Sequence, residues 1–133
     1  MRQSVNIIHN WKNKRKSGNV IVDKSKSFAV LIIRLNQFLK KEKKEYDLSA
    51  QLIHSGTSIG ANVKEAIRGQ STKDFRAKLN IALKEASETE YWLELLVETD
   101  YIDQKQYDSL DKDCLELIKI LTAILKSSED NSA

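Results

Sequence analysis

From about Ser25 to Glu45, apolar residues recur with the period of an α-helix: Phe28, Leu31, Ile32, Leu35, Phe38 and Leu39 fall on one face. Ala29, Val30 and Ile33 add apolar positions outside that face, so nine of the twelve residues from Phe28 to Leu39 are apolar. A single buried stripe needs far fewer. This first helix is therefore apolar on more than one side, and the surplus is expected to be covered by other copies of the chain. Lys40, Lys41, Lys43 and Lys44 occupy its last turns, where cations interact favourably with the helix dipole.

The same period continues downstream. Asp47 is an expected N-cap for a second helix that runs to about Arg68 and stops at Gly69, with Leu48, Leu52, Ile59, Val63 and Ile67 on its buried stripe. Ser55, Gly56, Ser58, Gly60 and Ala61 crowd its middle. Each glycine inside a helix costs about 1 kcal/mol relative to alanine, which makes sense where a neighbouring helix approaches closely. Ser71, with Asp74 three positions on, predicts the start of a third helix over Thr72 to Thr99, whose stripe is Phe75, Leu79, Ala82, Ala86, Thr89, Leu93 and Leu96. Asp103 and Gln106 repeat the capping pattern ahead of a fourth helix carrying Tyr107, Leu110, Cys114, Leu117, Leu121 and Ile124 and ending near Lys126. Such short connections make the helices antiparallel neighbours. The expected fold is all-α, an antiparallel up-down-up-down four-helix bundle over residues 25–127. Residues 1–24 show no sustained period and read as a mobile basic arm; residues 128–133 read as a polar tail.

Composition agrees with this reading. The 133 residues are 41% hydrophobic and 31% charged, with four glycines and no proline, which disfavours both a disordered chain and a turn-rich sheet protein. No apolar run approaches the roughly 18 residues that span a bilayer, and the N-terminal residues lack a signal peptide's apolar stretch. A single cysteine, Cys114, excludes an internal disulfide. A cytoplasmic setting without membrane contact is the resulting expectation.

The net charge of +3 is unevenly distributed: residues 1–26 carry seven basic side chains against one acid. Alternating helix direction sorts the remaining charges onto two poles. The start of the first helix, the end of the second, the start of the third and the end of the fourth share one pole, where Lys64, Arg68, Lys73, Arg76 and Lys78 join the arm's Lys12, Lys14, Arg15 and Lys16. Such a surface is suited to phosphates. Its alternative is a solvated face that keeps the protein soluble.

Other chemistry is not assembled. The run Gly56-Thr57-Ser58-Ile59-Gly60 is followed by Ala61-Asn62 and not by the Lys-Ser/Thr of a phosphate-binding loop. Neither His9 nor His54 follows a glutamate by three residues, as a di-metal bundle site requires, so Glu65, Glu85, Glu88 and Glu90 are expected on salt bridges or in solvent. Cys114 lies on an apolar stripe, where a thiol is usually a small core residue. Tyr91, Trp92 and Tyr101 could stack on bases, but aromatics also suit packing and subunit contacts. No enzyme activity, metal or cofactor is implied.

The run from Ser55 to Ala66, followed by Ser71, Asp74-Phe75, Lys78-Leu79, Ile81 to Ala86 and Glu88 to Leu93, resembles the four-helix-bundle proteins encoded in intervening sequences of bacterial large-subunit ribosomal RNA genes. The resemblance spans about Asn19 to Ser127 and leaves the arm outside it. It implies a homopentamer of up-down bundles, often labelled a ribosomal protein. It also implies kinship with accessory proteins of the reverse transcriptases of diversity-generating retroelements, which are basic barrels that bind nucleic acid. The expected function is non-enzymatic binding of RNA or DNA by a homo-oligomer, through the basic pole and the arm. The alternative is a scaffold or accessory subunit that docks a protein partner such as a reverse transcriptase.

Overall fold

In a computed structural model the described residues are 18–132, and they form four helices: α1 (Val20–Lys41), α2 (Asp47–Ile67), α3 (Thr72–Glu98) and α4 (Gln104–Ser132). The helices pack in chain order around one core, and the α1–α4 seam that completes the circuit is by far the slightest of the four contacts. Phe28, Ile32 and Leu39 of α1, Leu52 and Ile59 of α2, Leu79 and Leu93 of α3, and Leu117 and Leu121 of α4 are fully buried in that core.

Helix α1 begins earlier than its pattern predicts, at Val20 and not near Ser25. Asn19 caps it, its Oδ1 accepting from the Val22 amide at 3.4 Å, and Ile21 is buried. Residues 20–24, expected in the arm, are thus the first turn of the bundle. Two expected stripe residues lie out in solvent: Leu31 is 40% and Ile67 47% exposed. Helix α4 runs about a turn and a half beyond its expected end, to Ser132.

The caps at α3 and α4 form as the sequence predicts. Ser71 Oγ accepts from the Asp74 amide, and Asp103 and Gln106 exchange side chain–amide hydrogen bonds at 2.7 and 2.9 Å. At α2 the cap position is Tyr46, not Asp47, and Glu45 supplies the capping side chain. The buried Glu45 carboxylate accepts from the amides of Asp47, Leu48 and Ser49, at 3.2, 3.0 and 2.7 Å. A carboxylate there satisfies amides that lack helical partners and meets the positive end of the dipole.

The small residues of α2 let α1 approach closely. A Cβ placed on Gly56 would lie 2.7 Å from the Ile32 side chain, while one on Gly60 would meet Ser25 at ordinary contact distance. Polar bonds pin the register: Asn36 Nδ2 donates to the Ser49 carbonyl between α1 and α2, and the Thr89 and Ser55 hydroxyls bond at 2.9 Å between α3 and α2.

Candidate nucleic-acid interface

The five basic residues expected together on the bundle do gather at one end, around the α2–α3 connection, but they do not share one role. Lys64 and Arg68 stand on the outer face of α2 with His54 and Ala61, and Lys73 lies in the first turn of α3; all three cations are exposed. They carry no ion pair among the described residues. Arg76 is half-buried, and its Nη1 donates to the Leu125 carbonyl and to Ser128 Oγ, tying α3 to the last turns of α4. Lys78 Nζ lies 3.5 Å from Glu65 Oε2 across the α2–α3 contact. Two of the five thus hold helices together, and three remain directed at solvent. Lys12, Lys14, Arg15 and Lys16 lie outside the described residues.

A group of carboxylates lies further along α3, where it faces α4. The Glu90 carboxyl lies against that of Asp111, and this contact, with burial and the charges of Asp111 and Glu94, raises its pKa to about 7. Asp111 Oδ1 and Glu85 Oε2 are buried and have no hydrogen-bond partner among the described residues. Burial pushes the Cys114 thiol up to about 12, and its Sγ donates to the Ala86 carbonyl at 3.2 Å. It is a neutral core thiol at any ordinary pH. Burial first, then the surrounding carboxylates, also raises Tyr107.

Trp92 packs against the core while Tyr91, its ring centroid 5.3 Å away, is 52% exposed. Along the α1–α4 seam an open cleft of about 470 Å³ is lined by Arg34, Leu35, Phe38, Lys105, Ser109 and Leu110. Sequence periodicity does not mark this cleft, because it depends on how α1 and α4 fail to close. No group of three or more metal-ligating side chains occurs among the described residues, and none of their helices is long and apolar enough to cross a membrane.

Residues 18–123 match the protein family described as 23S rRNA-intervening sequence protein. A comparison with curated proteins finds no match. Among solved structures, the chain is similar to a protein of unknown function from the S23 ribosomal protein family of Bacteroides thetaiotaomicron. The two are 56% identical with a TM-score of 0.81, over 81% of this chain and 96% of that one.

Proposed function

The chain belongs to the 23S rRNA-intervening sequence protein family, and from that premise we propose that it is a non-enzymatic, self-associating helical protein that holds RNA or DNA by its phosphates. The observation that carries the proposal is the trio Lys64, Arg68 and Lys73, exposed where α2 passes into α3 and without an ion pair among the described residues. The N-terminus of α3 adds the positive end of its dipole at the same place. The arm's Lys12, Lys14, Arg15 and Lys16 extend the positive charge, and self-association, in the pentameric form that the family resemblance implies, multiplies it. Contacts of this kind read the backbone and not the bases.

Electrophoretic shifts with structured RNA, duplex DNA and heparin test the proposal. Binding falls steeply between about 50 and 300 mM salt, with little preference among sequences. Combining Lys64→Gln, Arg68→Gln and Lys73→Gln weakens it and flattens the salt slope by about 2–3 per subunit. Arg76→Gln lowers thermal stability without a matching change in slope. Absence of binding at either salt concentration, or binding unchanged in the triple variant, refutes the proposal.

The α1–α4 cleft favours a second reading, in which the bundle docks a protein partner such as a nucleic-acid enzyme and its charges steer the encounter. Removal of residues 1–17 separates the two: a scaffold keeps its partner when nucleic-acid binding is lost.

A further inference from the structure

Charge divides this molecule by edge as well as by end. Residues 18–71, which form α1 and α2, carry nine basic and five acidic side chains; residues 72–133, which form α3 and α4, carry eight basic and fourteen acidic. Because the helices pack in chain order, the α1–α2 edge and the α3–α4 edge lie on opposite sides of the bundle. They cannot meet within one molecule.

Each edge has an apolar centre beneath its charges. On the α1–α2 edge, Val30 and Ile53 are half-buried and Ile33 is 38% exposed; Lys40 and Lys41 are exposed above them with no ion pair among the described residues. On the α3–α4 edge, Leu83 is half-buried and Leu115 is 47% exposed, and the small side chain of Ser87 is exposed one turn along α3 from Leu83. Glu94 and Glu98 are exposed above them. A serine at that height leaves room for a branched side chain from outside.

The heights of these features correspond. The cleft sets Arg34 beside Ser109 and Leu110. The Cys114–Ala86 hydrogen bond sets Leu115 level with about Glu85 on α3, and Leu110, one turn along α4, level with about Glu90. Ile33 therefore stands near the height of Glu90, and Val30 near that of Ser87, between Leu83 and Glu90. Two turns further up, Lys40 and Lys41 stand near the height of Glu98.

We propose that the α1–α2 edge of one copy docks against the α3–α4 edge of the next, with the helices of neighbouring copies aligned along a common axis. Val30 and Ile33 then pack over Ser87 against Leu83 and Leu115, while Lys40 and Lys41 meet Glu94 and Glu98. Two different surfaces meet, so the contact is heterologous, and repeating it closes a ring where the rotation allows. The apolar excess of α1 is covered in this way. This inference rests on the self-association proposed above and names the surfaces that carry it.

The test uses the full chain at micromolar concentration, with mass read by light scattering and sedimentation and folding monitored by circular dichroism. One variant combines Lys40→Glu and Lys41→Glu; a second combines Glu94→Lys and Glu98→Lys. All four positions are exposed, so both variants keep their helical content. Each alone self-associates at least tenfold more weakly than the unaltered chain, and a third variant carrying all four substitutions regains association because both of its edges have exchanged sign. Undiminished assembly in either two-site variant, or a four-site variant that fails to recover, overturns the assignment of edges while leaving self-association standing. An unaltered chain that stays monomeric overturns both.

Discussion

Gly56 and Gly60 show how much a single hydrogen atom can decide. They lie one turn apart on α2, and each weakens the helix by roughly 0.5–1 kcal/mol relative to alanine. At Gly56 the added methyl would enter the space of the Ile32 side chain at 2.7 Å, a buried group with nowhere to go. Overpacking of that kind costs about 1–3 kcal/mol, so Gly56→Ala lowers the thermal midpoint. At Gly60 the nearest atoms of Ser25 are 3.4–3.5 Å away, so Gly60→Ala keeps the propensity gain and raises the midpoint. Calorimetry of the two variants settles the contrast. Glu90 acts through its proton. Its folded pKa of about 7 lies above the usual carboxylate value, so the folded chain binds a proton that the unfolded chain releases. The stabilisation linked to this group is complete below about 4.5 and disappears as pH rises through 7. Glu90→Gln flattens the fall in thermal midpoint between pH 5 and pH 8, and at pH 8 the variant melts at the higher temperature.

The helices differ in how plainly their sequences announce them. Helices α3 and α4 were legible because local chemistry fixes their starts: Ser71 with Asp74, and Asp103 with Gln106, bond within three residues. The start of α1 was hidden, since Asp23 to Ser27 interrupts the apolar pattern and conceals that Ile21 reaches the core. Glu45 was missed as the capping side chain of α2 because it folds forward from a connection in which Lys44 has a positive φ of 55°. Glu45→Gln replaces a buried carboxylate that accepts three amides, and lowers stability by about 1–2 kcal/mol in chemical denaturation. In the candidate interface, exposure of Lys64, Arg68 and Lys73 follows from helical spacing. The engagement of Arg76 with Leu125 and of Lys78 with Glu65 does not, because it depends on the register between helices.

For the whole molecule, topology governs where charge and apolar surface end up. Chain order around the core places the basic half of the bundle opposite its acidic half, and counting charges from residue 18 onward reveals that division. A count that separates only residues 1–26 from the rest averages the division away, because it pools α2 with α3 and α4. The slack seam between α1 and α4 has a further effect on motion. Helices α2 and α3 are each flanked by two well-packed neighbours, whereas α1 and α4 each have one, with the ion pair of Lys24 and Glu116 at 3.0 Å reaching across the gap. Opening therefore starts at that gap. In hydrogen–deuterium exchange on dilute protein, amides of the outer two helices take up label ahead of those in the central hairpin. Whatever closes over the seam slows that uptake, so exchange rates report occupancy even where the chain's outline stays the same.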